Sequence, residues 1–172
     1  MSALAIRDAR PADSPAIESL TLAAYGQYAA QLPPPYWDAY RNNILATLAD
    51  VTPAAQLVAE CAGRILGAVL LYPAGAAFPG RDGAAGIVKW PEVRLLAVEP
   101  AARGQGVGNA LMHACIQRAR AAEAEALTLH TTPMMASAMR LYARLGFVHV
   151  PELDFEPAPG LTVRGFRLTL ES

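Results

Sequence analysis

The sequence predicts a single α/β or α+β domain, and three observations carry that prediction. Apolar residues make up 53% of the 172-residue chain and charged residues 17%, a balance that collapses around a core instead of staying disordered. Segments with the period of strands are interleaved with segments of helical spacing, and strand–helix–strand order recurs in the second half. A chain near this length buries roughly 68–70% of its unfolded surface. One domain spanning residues 1–172 is the expectation.

Taken in order, "LAIRDAR" alternates apolar and polar residues as a half-buried strand does, and Pro11 with Asp13 marks the turn into a helix. In that helix Ile17, Leu20, Ala24 and Tyr25 share one face. Three prolines, Pro33 to Pro35, end it, and a second helix places Tyr36, Tyr40, Ile44, Leu45 and Leu48 at helical spacing. "AAQLVAECAGRILGAVLLYP" reads as a hairpin turning at Ala62 and Gly63, with Val58 on one arm and Val69 and Leu71 on the other. Ala74 to Lys89 is glycine-rich and without period, which predicts a long loop.

"EVRLLAV" is a strand ended by Glu99-Pro100, and the helix from Val107 to about Ala122 presents Ala110, Leu111, Ala114 and Cys115 on one face. "ALTLHTT" is the next strand. Ala138, Leu141, Tyr142 and Leu145 mark a further helical face closed by Gly146, where a helix often turns left-handed. "FVHVPELDF" and "LTVRGFRLTL" read as two last strands.

Composition excludes some functions. A net charge of -1 and a pI near 6.3 give no general attraction for nucleic acid or an anionic membrane. No apolar run reaches the ~20 residues of a membrane span, and "MSALAIRDARPAD" lacks a signal core, so a cytoplasmic protein is expected. Cys61 and Cys115 are the two cysteines and show no metal-ligand spacing. Two buried, reduced thiols and no metal are expected.

The chemistry begins at "ARGQGVG". Gly104, Gly106 and Gly108 stand at alternate positions between a strand and a helix, where missing Cβ atoms let a ligand approach the backbone. The helix start adds outward N–H groups and the positive end of the macrodipole, and Arg103 can add a charge-assisted contact. A phosphate or pyrophosphate is the implied ligand. The P-loop pattern GxxxxGK[ST] is excluded by Asn109 and Ala110 after Gly108, and GxGxxG fails because its last position falls on Asn109 or Leu111.

"VRLLAVEPAARGQGVGNALMHACIQRA" resembles the acetyl-CoA-binding segment of the GNAT superfamily of N-acetyltransferases, with Arg103, Gly106 and Gly108 in its [QR]xxGxG/A signature. "ASAMRLYARLGFVHV" is similar to the superfamily's second motif in Ala138, Leu141, Tyr142, Leu145, Gly146 and Phe147. The resemblance implies a mixed, mostly antiparallel sheet of six to seven strands with two central parallel strands splayed apart, flanked by about four helices. Pantetheine would lie along the backbone of Leu96, Ala97 and Val98, and pyrophosphate on Arg103, Gly104, Gln105, Gly106, Val107, Gly108 and Asn109. Ser137 and Tyr142 would complete the cofactor contacts.

The same resemblance implies transfer of an acetyl group from acetyl-CoA to a primary amine by direct attack. An alkylamine of pKa about 10.4 is neutral to less than about one part in a thousand at pH 7, so a base is needed. Glu92 is the candidate, even steps from Leu96 and Val98, and the Val98 N–H would stabilise the oxyanion. Tyr142 matches the tyrosine that protonates the leaving thiolate. His130 is an alternative base acting through water; His113 and His149 have weaker claims. Met135 stands where many members carry Asn, which removes a polar contact and favours apolar groups nearby. Tyr25, Tyr28, Tyr36, Trp37 and Tyr40 cluster in the region that commonly covers the acceptor. The acceptor is a small-molecule or peptide amine; protein N-terminal or lysine acetylation, or a non-catalytic acyl-CoA sensor, are the alternatives. Many members are dimers, so the resemblance allows a homodimer.

Overall fold

A computed structural model describes residues 2–78 and 86–171. Among them are eight strands and four α-helices. The chain divides into two compact units, Met1–Leu70 with Leu95–Ala114 and Leu71–Arg94 with Cys115–Ser172.

In the first unit β1 (Ala5–Asp8) pairs antiparallel with β2 (Ala55–Cys61), Ala5 lying opposite Glu60 and Asp8 opposite Leu57. The turn falls at Ala62 and Gly63 and leads into β3 (Arg64–Tyr72), as the hairpin pattern predicts. The Glu99 N–H donates to the Leu66 carbonyl at 2.8 Å, tying the end of β4 (Glu92–Val98) to β3. Helix α1 (Ser14–Gly26) buries Ile17, Leu20, Ala24 and Tyr25, the face its spacing predicts, plus Thr21, whose hydroxyl donates to the Ile17 carbonyl. Arg7 bridges Asp13 and Glu60 at 2.7 and 2.6 Å, fixing the approach of β1 to α1.

Helix α2 (Pro34–Ala49) departs from expectation: of its periodic residues only Ile44 is buried, and Tyr36 is 41% exposed. Its aromatics stack edge-on on one another and on α1 instead, Tyr40 on Tyr25 at 5.8 Å and Trp37 on Tyr40 at 6.3 Å. Helix α3 (Val107–Ala121) buries Val107, Leu111, Met112, Cys115, Ile116 and Ala119. The buried stripe is thus turned from the predicted one, with Ala110 and Ala114 only half-buried; the larger Met112 and Ile116 claim the core.

In the second unit β4 and β5 (Ala126–Thr131) run parallel, but their pairing covers only Glu92 with Thr128 and Val93 with Leu129. Strand β5 pairs antiparallel along its length with β8 (Leu161–Thr169), His130 opposite Gly165. "FVHVPELDF" is not one strand: β6 (Val148–His149), a 3-10 turn over Pro151–Leu153 and β7 (Phe155–Ala158) divide it, and β6 and β7 both pair with β8. Pro151 lacks the N–H a continuous strand would use. That division gives one strand more than the six to seven expected. Helix α4 (Ala136–Leu145) ends at Gly146, which is left-handed at φ 96°.

The described residues on the two sides of the expected loop Ala74 to Lys89 pair with one another. Ala77 bridges Ile87, and the Gly75, Phe78 and Val88 N–H groups donate across the gap to Val88, Gly86 and Ala76; residues 79–85 lie outside the described residues. Phe78 is buried against Tyr72 at 4.8 Å, with the Arg94 guanidinium 4.9 Å over the Phe78 ring.

Candidate active site

The glycine turn lies in the first unit. A short 3-10 turn, Pro100–Ala102, ends β4's exit, and Gly104 and Gly106 then take φ 76° and 80°, a region costly for any residue with a Cβ. No atom lies within 4 Å of where a Cβ would stand at either position. Glycine is therefore required by backbone conformation and not by protein packing, and the space above it is open. Val107, 2% exposed, roots the first turn of α3 in the core. The first helical bond runs from the Ala110 N–H to the Gly106 carbonyl at 3.0 Å. Among the described residues no backbone carbonyl outside α3 accepts from the N–H groups of Gly104, Gly106, Val107, Gly108 and Asn109. These donors beside a helix N-terminus make an anion cradle.

The Arg103 side chain is already engaged. Its guanidinium donates to Gln27 Oε1 at 2.7 Å and to the Ala24 carbonyl at 3.4 Å, capping the last turn of α1 with positive charge. Partial burial holds the nearby Tyr28 phenol above its ordinary range, opposed by the Arg103 charge and a hydrogen bond with Gln27. The charge-assisted phosphate contact expected of Arg103 would need this arrangement to open.

Along β4, Leu95 takes φ 50° two residues after Val93, the second of the residues paired with β5. A left-handed residue inside a strand interrupts the alternation of faces. Parity therefore does not carry from Glu92 to Leu96 and Val98, and the even-step argument for a shared side fails. Ala97 is 1% exposed, Leu96 and Val98 are half-buried, and the Leu96 carbonyl accepts the Tyr25 hydroxyl at 3.2 Å. Of the aromatic cluster only Tyr25 belongs to the core.

The second unit brings Glu92 and His130 together. Glu92 is 1% exposed, and its Oε1 lies 2.9 Å from His130 Nδ1. His130 Nε2 is 2.9 Å from the Leu153 carbonyl, and the ring meets Phe155 edge-on at 5.3 Å. The parallel register that sets Glu92 beside Thr128 carries His130 into reach two residues later. His149 instead pairs with Asp154 at 2.9 Å. Burial raises the Asp154 carboxyl, but the Gly165 N–H and His149 more than offset it, leaving Asp154 below its ordinary value. His113 is exposed on α3.

Tyr142 is buried at 7% exposure, edge-on to Phe147 at 5.9 Å, and Ser137 is exposed, accepting from Arg140 at 3.1 Å. Met135 is buried and its Sδ accepts the Thr131 hydroxyl at 3.4 Å. Thr132, 8% exposed, has a buried hydroxyl oxygen without a partner among the described residues. Neither threonine carries a sequence signal, since both read as ordinary strand-end residues. Burial pushes the Cys115 thiol up to about 12, and the Arg118 charge offsets little of it. Cys61 is only half-buried, against the expectation of two buried thiols, with its Sγ donating to the Ser2 carbonyl. No group of three or more His, Cys, Asp or Glu that could hold a metal ion occurs among the described residues, and no described helix is long and apolar enough to cross a membrane.

The model of the acetyltransferase (GNAT) family matches residues 15–147. Solved structures resemble the chain over nearly its whole length. A GCN5-related N-acetyltransferase from Kribbella flavida is 27% identical, with 98% of each chain covered and a TM-score of 0.63. A protein from Corynebacterium glutamicum described as histone acetyltransferase HPA2 and related acetyltransferase is 25% identical, with 97% of this chain and 96% of that one covered and a TM-score of 0.68. A GNAT family acetyltransferase from Brucella melitensis in complex with acetyl-CoA is 23% identical, with 99% and 90% covered and a TM-score of 0.64. No curated protein matches by sequence.

Proposed function

The chain belongs to the GNAT acetyltransferase family, and from that premise we propose that it transfers the acetyl group of acetyl-CoA to a primary amine of a small molecule or peptide. The observation that carries the reading is the set of N–H groups of Gly104, Gly106, Val107, Gly108 and Asn109 at the start of α3, from which no backbone carbonyl outside the helix accepts. An anionic pyrophosphate is the ligand for which such a cradle is suited, and acetyl-CoA is the ligand of the Brucella melitensis relative. The chain acts as one catalytic domain, a reading supported by the family match, which runs through residues of both units.

In this reading the pantetheine pairs with the backbone of Leu96 to Val98, and the Val98 N–H faces the developing oxyanion. The acceptor ammonium loses a proton to the carboxylate of Glu92, and the neutral amine attacks the thioester carbonyl. Collapse of the tetrahedral intermediate expels the CoA thiolate, which Tyr142 protonates. Ser137 sits one residue into α4, where its hydroxyl can reach the cofactor. The cytoplasm is the compartment we assign, with which two unpaired cysteines agree.

Calorimetric titration with acetyl-CoA, followed by thiol release against a panel of amines, tests the reading. Binding with amine-dependent release is the expected result. Binding without release across the panel would favour a sensor, and no binding would overturn the site.

A further inference from the structure

The last turn of α1 reaches groups that acetyl-CoA would need, and all of them lie in the first unit. The Tyr25 hydroxyl donates to the Leu96 carbonyl at 3.2 Å. Just past the helix end, Gln27 Oε1 accepts from the Arg103 guanidinium at 2.7 Å, and the Ala24 carbonyl accepts from it at 3.4 Å. Tyr25 thus meets the strand on which pantetheine would lie, while Ala24 and Gln27 hold the cation beside the pyrophosphate turn.

The direction of the Leu96 carbonyl decides what Tyr25 covers. The Glu99 N–H donates to the Leu66 carbonyl of β3, and successive residues of a strand point their backbone groups to opposite edges. Ala97 therefore faces β3 as well, and its oxygen lies 3.0 Å from where a Cβ of Gly67 would stand. Leu96 and Val98 direct their N–H and carbonyl groups to the other edge. Pairing of β4 with β5 ends at Val93, so that edge is where an added strand can pair. The Tyr25 hydroxyl occupies an acceptor on it.

We propose that the C-terminal turn of α1 is a built-in competitor for acetyl-CoA. Tyr25 takes the Leu96 carbonyl, Gln27 and the Ala24 carbonyl take Arg103, and the cofactor binds by displacing these contacts. The competition presupposes the acetyl-CoA reading of strand and turn. In the free protein the contacts serve stability: the Ala24 carbonyl is among the last four of α1, which lack partners within the helix, and the half-buried Leu96 carbonyl gains a donor.

The exchange is favourable at Arg103 and near neutral at Leu96. Gln27 and Ala24 offer uncharged acceptors, whereas a pyrophosphate oxygen is charged, and hydrogen bonds between ionised partners are the stronger ones. Arg103 and Gln27 are both exposed, so the guanidinium can turn away without disturbing the core. At Leu96 one neutral hydrogen bond replaces another, and Tyr25 lowers affinity by what its own bond contributes. Tyr25 is buried, with its ring edge-on to Tyr28 at 6.5 Å and to Tyr40 at 5.8 Å. Tyr40 in turn meets Trp37 at 6.3 Å. Displacing the hydroxyl therefore shifts a ring on which the aromatics of α1 and α2 are stacked.

The test is calorimetric titration of the full chain with acetyl-CoA, wild type beside Tyr25→Phe and Gln27→Ala, with a thermal melt of each protein. Either variant removes one competing bond and keeps Leu96 and Arg103. Each should bind acetyl-CoA about threefold to tenfold more tightly than wild type, and the double variant more tightly than either. Both lose a bond in the free protein, so Tm should fall while affinity rises, a combination that a purely structural contact does not give. A folded variant with equal or weaker affinity overturns the proposal, because the contact it removes is then a support and not a competitor. Gln27 is exposed, so Gln27→Ala decides the matter even if Tyr25→Phe does not fold. Failure of the acetyl-CoA reading looks different: neither wild type nor variants would bind, and both ideas would fall together.

Discussion

The glycine turn and the Glu92–His130 cluster treat polar groups in opposite ways. The N–H groups of Gly104, Gly106, Val107, Gly108 and Asn109 meet no backbone carbonyl outside α3 and lie beside open space. At Glu92 the carboxyl group is buried beside the His130 imidazole, whose Nε2 meets the Leu153 carbonyl. The difference teaches what each region is suited for. Donors at a helix start suit an anion that arrives from solvent, whereas a carboxyl group buried beside an imidazole is suited to handling a proton. Binding and proton transfer thus make different demands, and substitutions should separate them.

The largest effect is expected at the turn. Gly106→Glu puts a like charge into the cradle and forces a residue with a Cβ to φ 80°. Losing two or more hydrogen bonds to a charged group, each about 1.5–3 kcal/mol, weakens acetyl-CoA binding by more than about 100-fold. Gly106→Ala, which keeps only the backbone penalty, should lower stability by about 1–2 kcal/mol and retain measurable affinity. Calorimetry and thermal melts on the two variants separate charge from strain; equal affinity for Glu and wild type would mean the cradle binds nothing.

Second in size is the acid–base pair. Glu92→Gln and His130→Asn should each lower kcat by about 100-fold or more with acetyl-CoA affinity unchanged. If the two residues act as one unit, the double variant loses no more than the worse single one. Multiplying losses would split the pair into independent groups and erase the contrast between the regions.

These two sites also differ in how far sequence reveals them. Alternate glycines after a strand and before a helical stripe are a local pattern, and Arg103 to Asn109 fold as that pattern predicts. Glu92 and His130 are far apart in the chain, and only the parallel register of Glu92 with Thr128 brings them together. Nor does period two survive β4, because Leu95 adopts φ 50° without being glycine or asparagine. The aromatic spacing of α2 is helical, but which aromatics become core depends on what packs above them, and Tyr36 is left exposed. Arg103 illustrates the limit from the other side: its place in the motif is legible, its bond to Gln27 is not.

Tyr142 bridges the two categories, being buried like Glu92 yet named by a motif like Gly106. Its ring packs edge-on against Phe147, so Tyr142→Phe preserves shape and should leave stability and acetyl-CoA affinity near wild type. Loss of a general acid should lower kcat by about 100-fold. Wild-type turnover across pH would leave Tyr142 a core residue only. A smaller and purely structural effect is expected of Gly165→Ala, where overpacking against Leu153 costs about 1–3 kcal/mol and appears as a lower Tm.

The smallest effect isolates engagement of polar groups from catalysis. Asp13 is as thoroughly engaged as Glu92, by the Arg7 guanidinium and the Arg10 N–H, but it lies near the surface and outside both regions. Those hydrogen bonds, Arg7's first, hold its carboxyl at about 2, below the ordinary 3.8. A depressed carboxyl stabilises the fold above the unfolded value and loses that contribution as pH falls through the folded one. The window is therefore from about 4 down to about 2. Asp13→Asn should be less stable than wild type at neutral pH, and the two denaturation midpoints should converge across that window. Acetyl-CoA affinity and kcat should not change. A constant difference in midpoint down to the acid limit would mean that Asp13 stabilises the fold through packing or neutral hydrogen bonds, not through its charge.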